Sequence, residues 1–313
     1  MPDRDACASR LRLPCLWALL ATGALLLAAC GTTAGTLDAS GSRVVRVVAA
    51  ENFWGSIASQ IGGSHVQVVS IITNPNTDPH SYEPTAADAR TIATAQVVIE
   101  NGIGYDSWVP KLLSADQASP VVLDVGRLLG IPDGGNPHRW YNPANVQTVI
   151  RQLTADFARI DPTDRRYFAA RAARFAAVAL RQYDALIAAI RARYAGTPVG
   201  ASESIFAMLA PALGLKLITP QSFLTAISEG TEVSAADKLT IDRQITRHLI
   251  RIYVYNSQNV TPDVQAQLVL ARAMHIPTAT ITETLVPPTA SYQQWQVREL
   301  RGIETALARA TGH

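Results

Sequence analysis

The sequence predicts an α/β protein made of two parallel-sheet, Rossmann-like lobes joined by a long rigid α-helix. Three observations predict it. Short apolar runs alternate with helical stretches from residue 44 onward, the rhythm of a parallel sheet with right-handed crossovers. That rhythm occurs twice. Between the two sets lies Arg165 to Tyr194, a stretch without Gly or Pro.

In the first set, Val44–Ala50, Val66–Ile72, Val97–Glu100 and Val121–Asp124 read as buried strands, because parallel strands covered on both faces are continuous β-branched runs. Phe53–Ile61, Ala86–Ala95 and Tyr105–Leu113 read as the helices among them. Asp161-Pro162-Thr163-Asp164 is a good helix start, with a capping side chain and a proline at the first turn. Behind it Phe168, Ala172, Phe175, Ala179, Leu186, Ile190 and Tyr194 recur at helical spacings. The helix ends at Gly196-Thr197-Pro198. At 1.5 Å per residue it is roughly 45 Å long, which suits a spine between two lobes. The second set has strands at Pro198–Ala201, Leu215–Ile218, Leu249–Tyr255 and Thr278–Ile281, with helices at Ile205–Leu213, Ala235–Arg247 and Pro262–Met274. The expected organisation is an N-terminal lobe over 44–160, a linking helix over 161–196 and a C-terminal lobe over 197–313.

Composition excludes several classes. The 313 residues include 27 Lys plus Arg and 25 Asp plus Glu, with 48% hydrophobic and 17% charged residues. So apolar a chain is not intrinsically disordered. A net charge of +2 without a basic run gives no footprint for nucleic acid. Three cysteines without a Cys-x-x-Cys pair exclude a disulfide scaffold and a cysteine zinc or redox motif.

The N-terminus has the marks of an export signal. Arg4, Arg10 and Arg12 precede an apolar run from Leu13 to Ala29, which ends in Leu27-Ala28-Ala29-Cys30. A basic segment, a short apolar segment and small residues form a secretory signal, and the run is short for a bilayer span. An uncleaved membrane anchor is the alternative. Leu-Ala-Ala-Cys resembles a bacterial lipobox, which implies cleavage of residues 1–29 and lipid attachment at Cys30. Cys7 and Cys15 then belong to the discarded segment. Residues 30–43 are small and polar, as a flexible tether is.

Two histidines stand out. His80 lies in Asp78-Pro79-His80-Ser81-Tyr82-Glu83-Pro84, and His138 in Asn136-Pro137-His138-Arg139-Trp140. Each follows a proline, in a loop after a predicted strand. Proline restricts the local backbone and gives the histidine a defined direction, as a metal ligand needs. Loops at strand carboxyl ends are where α/β folds bind ligands. One such histidine more often orders its loop; two in one lobe leave both readings open. Glu203 and Glu283 end predicted strands of the second lobe. A lone glutamate there is usually a dipole-stabilising surface residue. His65, His248, His275 and His313 lack such a context and are read as structural or surface residues.

Several motifs occur together and in order: Glu51-Asn52-Phe53-Trp54-Gly55, Asp78-Pro79-His80-Ser81-Tyr82-Glu83-Pro84, Asn101-Gly102-Ile103-Gly104-Tyr105-Asp106, Asn136-Pro137-His138, Ala226-Ile227-Ser228-Glu229-Gly230, Tyr255-Asn256-Ser257-Gln258 and Thr282-Glu283-Thr284-Leu285. With them, the stretch from 44 to 310 resembles the zinc- and manganese-binding proteins of bacterial ABC transporters. The resemblance implies two lobes, a rigid linking helix and a metal buried between the lobes. It makes His80 and His138 the ligands of the first lobe and Glu203 and Glu283 those of the second, with Glu283 where many members have Asp. It places Tyr82, Glu83 and Trp140 nearby as support, and Glu51 as a group to receive the other N–H of a ligating histidine. It further implies a monomeric receptor, lipid-anchored at the outer face of the cytoplasmic membrane, that delivers its ion to a permease with a cytoplasmic ATPase.

Two imidazoles and two carboxylates suit Zn2+ or Mn2+, with Fe2+ a minor third choice. The long His/Asp/Glu-rich loop common in zinc-binding members is absent after His80. The competing class is a secreted zinc hydrolase using His80, His138 and Glu203. It would need an open coordination position and a general base, and neither His-Glu-x-x-His nor Gly-x-Ser-x-Gly occurs. A two-lobed receptor for a chelate such as a siderophore would favour Arg and aromatic residues over convergent His and Glu. An adhesin would need a repeat that the sequence does not contain. Metal capture without catalysis is the expectation.

Overall fold

A computed structural model describes residues 44–115 and 119–312. The signal segment, Cys30, the tether and His313 lie outside the described residues. The first sheet is built from β1 (Val45–Glu51), α1 (Asn52–Gly62), β2 (Val66–Ile72), α2 (Ala86–Ala93), β3 (Val97–Glu100), α3 (Trp108–Ala115) and β4 (Val121–Asp124). It is parallel throughout, in the order β2-β1-β3-β4. The short α4 (Val125–Leu129) and the long α5 (Pro143–Ile160) follow, then α6 (Arg165–Arg174) and α7 (Arg181–Tyr194). The second sheet repeats the plan with β5 (Pro198–Ala201), α8 (Phe206–Leu209), β6 (Lys216–Leu217), α9 (Gln221–Ser228), α10 (Ala235–Thr246), β7 (Tyr253–Asn256), α11 (Pro262–Ala273) and β8 (Thr278–Ile281). Its order is β6-β5-β7-β8, again parallel. The last helix is α12 (Tyr292–Thr311). Each sheet thus has its first strand inside and its second at the edge, which places both switch points at the carboxyl ends of central strands. No helix of the described residues is long and apolar enough to cross a membrane.

All eight predicted strands are present. The continuous apolar runs are central strands with both faces covered: β3 is buried along its whole length, and β1 is buried except at Arg46. The run Leu249–Tyr255 shortens to Tyr253–Asn256, because its first residues form the turn after α10. Helices α5 and α12 are not among the elements the sequence predicts. Both are amphipathic with standard caps: Asn142 accepts from the Ala144 and Asn145 N–H groups, and Ser291 and Gln294 form a capping box.

The linking segment departs from a single α-helix. Residues Phe175–Ala179 form a π turn between α6 and α7, with the Leu180 N–H bonded to the Phe175 carbonyl at 3.0 Å. The buried side chains are Phe168, Phe175, Leu180, Tyr183, Ile190 and Tyr194. The step from Phe175 to Leu180 is five residues, and a π turn is the local winding that keeps both on one face. Heptad counting instead points to Ala179 and Leu186, which are only partly buried.

One hydrophobic core runs through both sheets, from Val47 and Ile99 through Trp54, Trp140 and Trp295 to Val199, Val254 and Ile281. Buried hydrogen bonds lace the halves beneath the site. Tyr141 Oη donates to the Thr282 carbonyl and Tyr292 Oη to the Trp140 carbonyl, each at 2.6 Å. The Leu285 N–H donates to Asn52 Oδ1 at 3.2 Å.

Candidate metal centre

His80 follows β2, His138 follows β4, Glu203 follows β5 and Glu283 follows β8. Parallel strands put all four at carboxyl edges, and the common core brings the two edges together. His80 sits in a single 3-10 turn, Pro79–Ser81. Asp78 caps that turn: Oδ1 accepts the His80 N–H at 2.9 Å and Oδ2 the Ser81 hydroxyl at 3.0 Å. The proline-led motif is therefore a clamp on the His80 backbone.

His138 is completely buried. Asn136 Oδ1 accepts its backbone N–H at 3.0 Å and faces its Nδ1 at 2.9 Å. An amide oxygen at Nδ1 puts the ring proton there, which leaves Nε2 as a bare lone pair. Burial lowers the pKa of His138, against the opposing pull of Glu283, and this favours the neutral, ligating form. Trp140 lies 5.3 Å from the His138 ring and stacks on Phe53 at 3.9 Å, so aromatic packing fixes the imidazole plane.

Glu283 faces both histidines. Its Oε1 lies 3.8 Å from His80 Nε2 and 3.7 Å from His138 Nε2. Ligand atoms of His80, His138 and Glu283 all fall within 4.8 Å of one another. Both Nε2 atoms are buried without a hydrogen-bond partner. Two atoms bound to one Zn2+ in a tetrahedron stand about 3.4 Å apart, so the three donors are spaced slightly wide of a common ion. Burial alone would raise the Glu283 carboxyl, but His138, His80 and the Tyr105 hydroxyl, 2.9 Å from Oε2, together hold it below its ordinary value. Glu283 is thus an anion beside two imidazoles, a donor set suited to a divalent transition metal.

Glu203 does not join these three. It is buried, its Oε2 accepts from Asn256 Nδ2 at 2.6 Å, and its Oε1 accepts from Asn259 Nδ2 at 2.7 Å. Asn256 Nδ2 also reaches Glu283 Oε1 at 3.4 Å, so one amide stands between the two carboxylates. Burial and the nearby charge of Glu283 push the Glu203 carboxyl up to about 8. Like charges in a desolvated site separate and one takes a proton, unless a cation lies between them.

The supporting residues divide. Trp140 packs edge-on against His138, their ring centroids 5.3 Å apart. Glu51 meets no histidine; that role at His138 falls to Asn136. Glu51 is fully buried against Asp106, and burial followed by the Asp106 charge pushes its carboxyl well above the ordinary range. Asp106 in turn accepts the Asn101 and Gly102 N–H groups at 2.6 and 2.8 Å. Tyr82 donates to Asp88 at 2.8 Å and packs edge-on against Trp108, so it belongs to the cap of α2. Glu83 is exposed. Tyr105, Asn136, Asn256 and Asn259 have site contacts that the sequence reading gave no role. Their neighbourhood in quoted motifs was the only signal. Two cavities open beside His80, one of about 410 Å³ edged by Asn76, Asp78, Glu229 and Asn259, and one of about 350 Å³ edged by Tyr105, Asn136, Ser204 and Thr225.

Two parallel α/β sheets with a group of candidate metal donors, His80, His138 and Glu283, at facing carboxyl edges define a two-sheet fold of the kind that binds a ligand between its strand ends. The chain belongs to the ZnuA family, "zinc-uptake complex component A periplasmic", whose profile matches residues 47–306. It is similar to the manganese-binding lipoprotein MntA of Halalkalibacterium halodurans, 27% identical over 155 residues, 48% of this chain and 50% of that protein. The alignment therefore spans about half the length of that relative. Similarity to the high-affinity zinc uptake system protein ZnuA of Bacillus subtilis is 22% over 255 residues, 74% of this chain and 77% of that one. The fold matches a metal-free periplasmic metal-binding protein of Candidatus Liberibacter asiaticus with a TM-score of 0.71 at 18% identity, covering 84% of this chain and 99% of that one.

Proposed function

We propose that this chain is an extracytoplasmic receptor that captures one divalent transition metal ion, Zn2+ or Mn2+ with Fe2+ less favoured, and delivers it to an ABC permease for uptake. The observation that carries this reading is the convergence of two unpartnered imidazole nitrogens on Glu283 Oε1 at 3.8 and 3.7 Å, from opposite sheets. Family membership supports the same reading. His80 and His138 give neutral nitrogens, and Glu283 gives the first negative charge. Glu203 supplies the second: as the cation enters, its carboxyl loses its proton and turns from Asn256 and Asn259 toward the ion. Two carboxylates then balance the charge of the ion, and four protein donors close the coordination shell. A closed shell suits capture and not turnover, because a catalytic metal keeps an open position.

The ion is cargo and must leave again. The floor of the site is laced to a common core, so release by movement of the loops is favoured over separation of the sheets. Gln258 Nε2 holds the His80 loop through the Pro75 carbonyl at 2.6 Å, and Gln258 Oε1 accepts the Glu283 N–H at 2.7 Å. One side chain thus couples loops carrying ligands from both sheets. In this reading Cys30 carries the lipid that keeps a monomeric receptor at the outer face of the membrane, beside a permease driven by a cytoplasmic ATPase. Elemental analysis of protein purified without added metal, followed by competitive Zn2+ and Mn2+ titration, tests the proposal. One ion per chain is expected, with affinity lost in His80→Ala and reduced in Glu203→Ala; unchanged stoichiometry and affinity in both variants would refute the assignment.

A further inference from the structure

The chain carries a net charge of only +2, yet its charge is unevenly placed. Between Arg165 and Arg193 there are seven arginines, no lysine and a single acid, Asp184. That surplus of six exceeds the net charge of the whole chain, so the remainder is net negative. Ordinary solvent-facing helices intersperse charges of both signs. Here the exposed positions of α6, the π turn and α7 are Arg165, Arg166, Arg174, Arg181, Arg191 and Arg193 set among exposed alanines, Gln182, the single acid Asp184 and Val178, itself 57% exposed. Of these arginines only Arg193 has an ion pair among the described residues, a long one of 3.9 Å to Glu304. Arg171 is spent on the Gln60 carbonyl, and Arg191 donates to the Pro211 and Ala212 carbonyls at 3.0 Å while staying exposed.

The location of this face is equally specific. The start of α6 lies against the amino end of the first sheet: Tyr167 Oη accepts the Ser64 N–H at 3.1 Å, and Asp164 meets His65 at 2.6 Å. His65 leads directly into Val66, which pairs with Val45 at the start of β1. Val45, at the start of β1, therefore lies at the same end of the first sheet as Arg165 and Arg166. The far end of α7 runs into β5, at the amino end of the second sheet. The metal-binding donors lie at the opposite, carboxyl ends of the strands.

We infer that the Arg/Ala face of α6 and α7 rests on an anionic lipid bilayer. The inference rests on the proposed anchor at Cys30. Only 14 residues separate Cys30 from Val45, so an anchored chain stays within a short tether length of the surface. Val45 lies at the same end of the sheet as the start of the basic face, and alanines let the guanidinium groups approach phosphates closely. The consequence is an orientation in which the metal-site mouth points away from the bilayer, toward incoming ions. Docking on a permease then requires the protein to lift off this face, which screening by salt makes reversible.

The test uses the full-length lipoprotein, reconstituted into vesicles of phosphatidylcholine alone or mixed with phosphatidylglycerol. With Cys30 consumed by lipid and Cys7 and Cys15 removed with the signal, Ala177→Cys offers a unique thiol on the face and Asn76→Cys one at the site mouth. A fluorophore on each is quenched by a headgroup nitroxide lipid. The expected result is quenching at Ala177 several-fold stronger with phosphatidylglycerol, lost at high salt and lost in R166E/R174E/R181E, with no such change at Asn76. Equal quenching in both vesicle types, or quenching that survives charge reversal, overturns the inference; the latter would mean that a protein partner or the tether alone sets the orientation. Failure of the underlying readings is separately visible. The mass of the chain reports the lipid, metal titration of the same sample reports the site, and an unlipidated chain still scores the face by vesicle co-sedimentation.

Discussion

His138 and Glu283 belong to different sheets, yet His138 Nε2 lies 3.7 Å from Glu283 Oε1 with no hydrogen bond to satisfy it. A buried, unpartnered nitrogen normally costs stability. Here the neighbouring imidazole of His80 has the same arrangement toward the same oxygen. Two buried imidazole nitrogens and a carboxylate oxygen face one point, a donor set that suits a cation.

Metal binding should therefore stabilise the fold strongly. At free metal about a thousandfold above Kd, the unfolding free energy should rise by about 4 kcal/mol through mass action. His80→Ala should abolish that increment while the metal-free protein still unfolds cooperatively, because His80 is partly exposed. Thermal unfolding with and without chelator measures this.

Asn136→Ala should weaken metal binding by roughly 10–100-fold, the usual effect of removing a partner that orients a ligating histidine. Asn136 Oδ1 is the acceptor that fixes the His138 tautomer. Asn136→Asp, which keeps an acceptor, should restore most of the affinity. Competitive titration distinguishes the two.

The metal-free protein should lose stability as pH rises. Burial pushes Glu100 and Glu299 up to about 8, in Glu299 despite its hydrogen-bond contacts with Tyr141, Thr282 and Trp295. In an unfolded chain these carboxyls ionise near 4.3. Between those values the folded state binds the extra protons, so stability is fully present below the lower value and declines toward the upper. Each such proton contributes about 1.4 kcal/mol per pH unit. Denaturant melts at pH 5.5 and 8 should show the decline, and Glu100→Gln with Glu299→Gln should make it shallower, the remainder coming from Glu51 and Glu203. Stability that climbs across this window would contradict the assignment.

Gly63→Ala should destabilise without touching the site. Gly63 has φ +56°, and a Cβ there would lie 2.2 Å from Tyr167 Oη and 2.9 Å from Arg171 Nε. Left-handed strain with a clash at the joint between α1 and α6 should cost about 1–3 kcal/mol. The metal affinity of the folded fraction should remain unchanged.

Much of this architecture was legible in the sequence for a physical reason. A parallel strand covered on both faces reads as an apolar run, which made the inner strands β1, β3, β5 and β7 plain; the edge strands are partly exposed and were legible from β-branched residues set between helical stretches. The candidate donors were singled out by strand-end loops and by proline before His80 and His138, but only the family resemblance turned that context into a ligand set. What was hidden depends on side-chain direction. Nothing in the order of residues says that Asn256 stands between Glu203 and Glu283, or that Glu51 turns to Asp106. The π turn was hidden because a heptad count assumes the winding it is meant to test. Helix α12 packs on α7 and β8, and its amphipathic pattern alone names no partner.

Anomalous diffraction from crystals grown with Zn2+ or Mn2+ tests the central claim most directly. A single strong peak is expected between the sheets, about 2.0–2.2 Å from His80 Nε2, His138 Nε2 and a Glu283 oxygen if zinc is bound, with Glu203 turned away from Asn259 to complete the shell. A peak elsewhere, or a metal held without His80 and His138, would contradict the account.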